Sequence, residues 1–201
     1  MKNGVESIRR SVAVGGIQSL PNSITLSQVT TLRRRALDAA RQSIEDFGPD
    51  SVRLRTVASI IGCGVASLYY HFSDKDQLLA ALATEGFQDL EKQMRRGVED
   101  RKYPVSTQCA ITSYLAFMQQ HSRLYALMHT EFILANNVAT QIAEQGALKV
   151  LQETLTADRV IPAEDVENVS LMLWALLRGS ASIIRIRAEH DPDLALSYSD
   201  K

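Results

Sequence analysis

At 201 residues, with 45% apolar and 22% charged side chains, the chain has the composition of a globular protein and room for a small head and a core-bearing body. Its net charge of −1 excludes a uniformly basic nucleic-acid coat, so any DNA affinity must come from a local patch. Cys63 and Cys109 form no C-x-x-C pair and no apolar run approaches the ~20 residues of a bilayer span, which argues against a disulfide framework, a zinc site and membrane insertion and fits a cytoplasmic protein.

Residues 1–25 are expected to form a flexible arm, because Gly4, Gly15, Gly16, Pro21 and Asn22 interrupt any periodicity. Lys2, Arg9 and Arg10 against Glu6 also suit a basic arm lying along DNA. SVAVGGIQSL is too short and glycine-split for a signal peptide. A first helix is predicted from about Ser27 to Phe47, where Leu32, Ala36, Ala40, Ile44 and Phe47 recur at helical spacing before Gly48-Pro49. Between Leu26 and Lys75 seven basic residues (Arg33, Arg34, Arg35, Arg41, Arg53, Arg55, Lys75) face five acids (Asp38, Glu45, Asp46, Asp50, Asp74). The Arg33–Arg35 run suits a solvated helix face as well as a DNA-facing one.

The next stretch, VRLRTVASIIGCGVASLYYHFSDK, has the shape of a helix-turn-helix. Val57, Ile60 and Ile61 give its first helix an apolar face, and Val65, Leu68 and Phe72 give one to the second. Ala58 lets the helices cross closely, and Gly62 stands where the first must end in a left-handed conformation. Cys63 is expected to plug the head's core. The second helix of such a unit enters the major groove, with short side chains toward base edges and longer donors toward phosphates. Gly64, Val65, Ala66 and Ser67 are the short set: Val65 and Ala66 suit thymine methyls, and Ser67 a base or phosphate. Tyr69, Tyr70, His71 and Lys75 are the long set.

Ser73 is expected to cap a fourth helix with Asp76 three residues on, carrying Leu78, Leu79, Leu82, Leu90, Met94 and Val98 on one side and fraying before Pro104. Beyond it the sequence has no strand-like alternation. Ile111, Tyr114, Leu115 and Met118 mark one helix, and Leu124, Leu127, Met128 and Phe132 a shorter one. After a break at Asn136-Asn137, Ile142, Leu148, Leu151 and Leu155 mark a third. The last helix starts near Pro162, with Glu164, Asp165 and Glu167 at its positive end. Its middle, SLMLWALL, is apolar on all sides and therefore needs covering twice, by its own body and by a second subunit or further helices of the same bundle. Gly179, Ser180 and Ala181 suit close approach of a partner helix.

Ala58, Gly62, Leu68, Tyr69, His71, Phe72, Lys75 and Leu78 fall on the pattern A-x-x-x-G-V-S-x-x-x-L-Y-x-H-F-x-x-K-x-x-L. Over roughly residues 28 to 85 the chain therefore resembles the DNA-binding domain of the tetracycline-repressor (TetR) family. Arg53 and Gly64 depart from the threonine and serine caps usual there. The resemblance implies an all-α fold, in which an N-terminal three-helix helix-turn-helix DNA-binding domain (26–75) is joined by a linking helix (76–100) to a helical effector-binding and dimerisation domain (76–201). It implies that Tyr69, His71 and Lys75 hold the DNA backbone and that Arg55 and Thr56 reach a base or phosphate. It also implies a dimeric repressor on a palindromic double-stranded DNA operator, released by a small-molecule effector, with no cofactor and no membrane partner. The family usually pairs through its last two long helices. Only RAEHDPDLALSYSDK follows Ile186, so the 138–156 helix is the expected partner of the SLMLWALL helix.

Candidates to line an effector pocket are Tyr114, Phe117, Met118, Tyr125, Met128, His129, Phe132, Trp174 and Arg178. An anionic effector would suit Arg178, and so would an acid at a subunit surface. Enzyme readings lack a motif: there is no G-x-S-x-G, P-loop, G-x-G-x-x-G or H-E-x-x-H. His121 and His129 with Glu131 are too widely spaced for a metal site. A helical interaction protein without sequence-specific DNA binding is the competing reading.

Overall fold

The computed structural model describes residues 26–190, so the expected N-terminal arm lies outside the described residues, as does everything after His190. Among the described residues the regular structure is helical throughout. The head consists of α1 (Leu26–Phe47), a single 3₁₀ turn at Pro49–Ser51, α2 (Leu54–Ile61) and α3 (Val65–Tyr69). The linking helix is α4 (Lys75–Asp100). The body adds α5 (Ser106–Gln120), α6 (Ser122–Met128), α7 (Glu131–Asn136), α8 (Val138–Asp158) and, after a 3₁₀ turn at Ala163–Asp165, α9 (Val166–His190).

The head closes on Ala36, Leu37, Ala40, Ile44, Val57, Ala58, Ile61, Leu68 and Phe72, all buried. Gly62 ends α2 at φ 67°, and Cys63 N–H then donates to the Ala58 carbonyl at 3.0 Å. This left-handed stop is what a residue without Cβ adopts cheaply. Cys63 packs partly buried against that core. Two expected core residues point outward: Phe47 is 77% and Ile60 58% exposed. Phe47 is the last residue of α1, and Ile60 falls on the side of α2 away from α1 and α3.

The cap of α4 differs from expectation by one residue. Asp74 is the N-cap, its carboxylate accepting from Gln77 N–H at 2.8 Å, while Ser73 N–H donates to Gln77 Oε1 at 2.8 Å. Asp74 thus caps Gln77 N–H, while the Gln77 side chain reaches back one residue further, to Ser73 N–H. Leu78, Leu79, Leu82, Leu90 and Met94 face the core of the molecule from α4. Gly97 lies where α4 crosses α5, since a Cβ there would stand 1.8 Å from Ser113 Oγ.

In the body, the predicted shorter helix divides at His129-Thr130, so Phe132 belongs to α7 and is 58% exposed. Asn137 caps α8, its side chain accepting from Thr140 N–H at 2.9 Å. At the far end of α8, Asp158 reaches back to the start of α5. Its carboxylate accepts from Ser106 N–H at 3.0 Å and from both Thr107 N–H and Thr107 Oγ1 at 2.7 Å. Burial opposes ionisation, yet these donors hold the Asp158 carboxyl below its ordinary value. No helix among the described residues is long and apolar enough to cross a membrane.

Candidate nucleic-acid interface and interior polar cluster

The turn at Gly62 fixes how α3 leaves α2, and Leu68 and Phe72, both buried, pin it from below. What remains outward is the predicted contact set. Arg55, Thr56, Gly64, Ala66, Tyr69 and Tyr70 are exposed, and Val65, Ser67, His71 and Lys75 are partly so. Tyr70 is 81% exposed and meets the His71 ring edge-on at 5.4 Å. Gly64 caps α3 with no side-chain hydrogen bond, and a Cβ there would meet only Ser67 Oγ at 4.0 Å.

Between the start of α2 and the start of α4 runs a groove of ≈ 360 Å³ lined by Arg53, Arg55, Tyr69, Ser73, Asp74 and Lys75. Three cations and a phenol thus share one wall. The single acid there is engaged as the α4 cap, its carboxyl held low by the Gln77 N–H and then the Ser73 hydroxyl. Arg53 was not among the expected contact residues. Its place two positions before Arg55 was visible in the sequence, where it stood only as a departure from a usual cap.

The Arg33–Arg35 run serves the scaffold. The Arg33 guanidinium lies 5.4 Å from the Phe72 ring centroid, Arg34 pairs with Asp38 at 2.6 Å, and Arg35 Nη2 donates to the Ile61 carbonyl at 2.5 Å. Arg35 thereby satisfies a carbonyl at the end of α2.

A second constellation lies inside the body. Tyr114 from α5 and Tyr125 from α6 share a hydroxyl–hydroxyl hydrogen bond of 2.5 Å, and their rings meet edge-on at 5.9 Å. Trp174 packs on Tyr114 at 5.4 Å and donates Nε1–H to Glu144 at 3.2 Å. Arg178 stands 3.5 Å from the same carboxylate, so the cation considered for an anionic effector is already answered by an acid of its own chain. His129 stacks on Tyr125 at 4.2 Å with Phe87 edge-on at 5.2 Å. Its Nδ1 lies 3.0 Å from the Tyr125 carbonyl, while Nε2 is covered and has no hydrogen-bond partner.

A carbonyl can only accept, so Nδ1 carries the proton and Nε2 presents a bare lone pair. Burial is the chief reason His129 is pushed down to about 4, with nearby Arg178 adding to it and the Tyr125 carbonyl opposing. Burial likewise raises Tyr125 to about 12 and Tyr114 further still. Of the nine candidate lining residues, Tyr114, Tyr125, His129, Trp174 and Arg178 converge here. Phe117, Met118 and Met128 are buried apolar neighbours, and Phe132 is excluded by its exposure. Glu144, which holds Trp174 and Arg178 together, was missed because an acid amid AEQGALKV looks like an ordinary solvated residue.

Residues 36–82 match the family model for bacterial regulatory proteins of the tetR family. The HTH-type transcriptional repressor Rv1474c of Mycobacterium tuberculosis is 40% identical over 53 residues, 26% of this chain and 28% of that one. The HTH-type nicotine-responsive transcriptional repressor HdnoR of Paenarthrobacter nicotinovorans is 36% identical over 67 residues, 33% of this chain and 34% of that one. The chain thus matches about a third or less of the length of these curated relatives. Similarity through head and body together comes from a solved protein of unknown function from Rhodococcus sp. RHA1. It is 25% identical with a TM-score of 0.68, covering 84% of this chain and 92% of the other.

Proposed function

We propose that this chain, whose residues 36–82 match the tetR family of bacterial regulatory proteins, is a DNA-binding transcriptional regulator, a dimeric repressor released from a palindromic operator by a small molecule. The observation that carries this reading is the outward face of α3, with Ala66, Tyr69 and Tyr70 exposed beside the groove of Arg53, Arg55 and Lys75. Net charge on the whole chain is −1, so this concentration of cations beside a recognition-type helix is local. Phosphate contacts set position and affinity, and the short side chains of Gly64 to Ser67 carry the sequence preference.

Pairing is supported by α9. Leu171, Met172, Leu176 and Ile183 are 48%, 65%, 64% and 54% exposed, while Trp174 and Leu177 on the opposite side are 6% and 7%. The apolar stripe continues over Ala175 and Gly179, and a Cβ on Gly179 would meet nothing within 4 Å. A contiguous greasy face of this kind on a water-borne protein marks an interface. The outward face of α8 offers only Val138 and Ile142 before turning polar at Gln145 and Lys149, so α9 against its twin is the better-supported core of that interface. Two heads ~34 Å apart then read successive turns of the same groove.

The effector reading rests on the interior cluster. With Arg178 satisfied by Glu144, the group still lacking a partner is His129 Nε2, an acceptor. That acceptor suits an effector bearing a hydroxyl or N–H donor. Binding moves DNA only as far as it favours one head spacing over the other.

The test uses duplex selected from a random pool, followed by gel shifts. Lys75→Ala and Tyr69→Ala are expected to weaken binding to every sequence about tenfold, with Lys75→Ala lowering the salt slope by about 1. Ser67→Ala is expected to change the preferred sequence instead. Recovery of no duplex above background, or unchanged affinity in both phosphate variants, would refute the assignment.

A further inference from the structure

The first helix of the head is held at two places. Its middle lies against the linking helix α4, with Arg41 Nη1 2.9 Å from Asp89 and Arg34 Nη1 3.4 Å from Glu85. Both acids belong to α4, so these anchors alone leave α1 free to pivot about that one line. The second place is the end of α1. There the Ile44 carbonyl is taken by Gly48 N–H at 2.7 Å. The next two carbonyls, of Glu45 and Asp46, both accept from Arg123 Nη1 on α6, the Asp46 bond being 2.6 Å long. Beside them His121 Nδ1 lies 3.1 Å from the Glu45 carboxylate.

The end of α1 calls for a cation. Its last turn combines the negative end of the helix dipole with Glu45 and Asp46, and carries no basic residue of its own. The Asp46 carboxylate is occupied by Gln42 Nε2 at 2.9 Å, and Arg123 answers the backbone instead. The post to which α1 is tied is rigid. Leu124, Tyr125, Leu127 and Met128 sink α6 into the body, and Phe117 of α5 packs on the His121 ring at 5.0 Å. We propose that Arg123 is a positioning residue for DNA reading: with His121 it latches the end of α1 to α6 and so sets the angle at which the body carries the head. The proposal rests on the two-headed regulator reading above and adds what holds each head in place. When one head is bound, the second engages its half-site as an intramolecular event, at an effective concentration set by where the body holds it. A head released from α6 keeps its reading face and loses that placement.

Two measurements test the latch, one without DNA. Nitroxide labels on Ser59→Cys in α2 and Gln145→Cys in α8, both exposed positions, report the head-to-body distance by double electron–electron resonance. Cys63→Ala removes the accessible native thiol, Cys109 being buried, and Leu176→Glu, which interrupts the α9 stripe, keeps each molecule to its two labels. A narrow distance distribution is expected with Arg123 in place. Arg123→Ala is expected to broaden or displace it, and Arg123→Lys to recover it in part, with far-UV circular dichroism unchanged because Arg123 is exposed. Without labels and with Leu176 restored, gel shifts then compare the selected duplex with the same duplex cut to one half-site. Arg123→Ala is expected to lose about tenfold on the full site while keeping its half-site affinity. Its salt slope should also stay, whereas a phosphate contact by Arg123 itself would lower the slope by about 1. Identical distance distributions with and without Arg123 overturn the latch. Equal losses on full and half sites, or a lowered salt slope, overturn the positioning role. A parent chain that binds no duplex refutes the regulator reading, and the distances still decide the latch.

Discussion

Head and body place their polar and apolar groups in opposite ways. The head encloses a small apolar core and turns its aromatic hydroxyls and the cations Arg53, Arg55 and Lys75 outward, with Tyr69 and Tyr70 at 52% and 81% exposure. The body does the reverse along α9: two phenols, an imidazole, a carboxylate and an indole N–H meet inside, while Leu171, Met172, Leu176 and Ile183 face out. Buried polar groups cost stability unless each is answered, and an exposed apolar stripe is an unfinished surface. The body is arranged as if two of its faces, one internal and one external, await company.

The largest effect is expected from attacking the external face. Leu176→Glu places a charge in the middle of the α9 stripe, where a twin helix would bury it. The chain should sediment as a monomer and lose operator affinity by about three orders of magnitude, because each head alone makes too few contacts. Far-UV circular dichroism should stay unchanged, since Leu176 is 64% exposed in the single chain. A monomer that still binds the full site tightly would erase the contrast between the two regions.

The internal face can be read through pH. His129 has its folded value pushed down to about 4, against about 6.5 for an ordinary imidazole. Between those values the unfolded chain holds more proton than the folded one, so stability falls as pH drops from about 6.5 toward 4. Above about 6.5 it is unaffected by this group. The full loss is about 3 kcal/mol. Urea titrations of the parent and His129→Gln at pH 7 and pH 4.5 measure it: the difference between the two proteins should narrow, or reverse, on acidification. A constant offset would mean that the imidazole is not buried neutral.

A third comparison separates the special polar groups from ordinary ones. Asp158 is also a polar residue serving the body, but all its work is structural, capping α5 from the end of α8. Asp158→Ala is expected to cost about 2 kcal/mol of stability without altering effector response or oligomeric state. Thermal denaturation alongside gel shifts checks both halves of that statement.

Much of this arrangement was legible before any coordinates. Helix periodicity placed α1, α4 and α9, and Gly62 marked the head's turn, because both signals are local: spacing along one helix, and a backbone angle that one residue type adopts cheaply. The exposed residues of α3 followed for the same reason, since Leu68 and Phe72 had to face inward. What stayed illegible depends on contacts distant in sequence. Glu144 meets Trp174 and Arg178 across thirty or more positions. Arg123, on α6, donates to the Glu45 and Asp46 carbonyls at the end of α1, a contact between head and body that no pattern announces. Helix ends at Arg101 and Arg159 have φ of 47° and 52°, a left-handed stop that sequence rules assign to glycine. Phe47, Ile60, Phe132 and Ile142 were read as inward from spacing alone, but at the edge of a stripe packing partners decide the matter.

The smallest effect tests a bare cap in the head. Gly64 starts α3 at φ −68°, an angle open to any residue, and the space around its missing Cβ is clear to 4.0 Å. Serine there fits without strain and supplies an oxygen to the free N–H groups of the helix's first turn. Gly64→Ser should therefore raise stability by a few tenths of a kcal/mol, the usual difference between these two caps. The same hydroxyl is added to the exposed start of the reading helix, beside Val65 and Ala66, where only apolar contacts to bases are available otherwise. Selection of bound duplex should consequently return an altered preference at the positions nearest α3, with affinity for non-specific DNA unchanged. If stability rises and the preferred sequence stays the same, the start of α3 does not face bases, and the short side chains from Gly64 to Ser67 are scaffold.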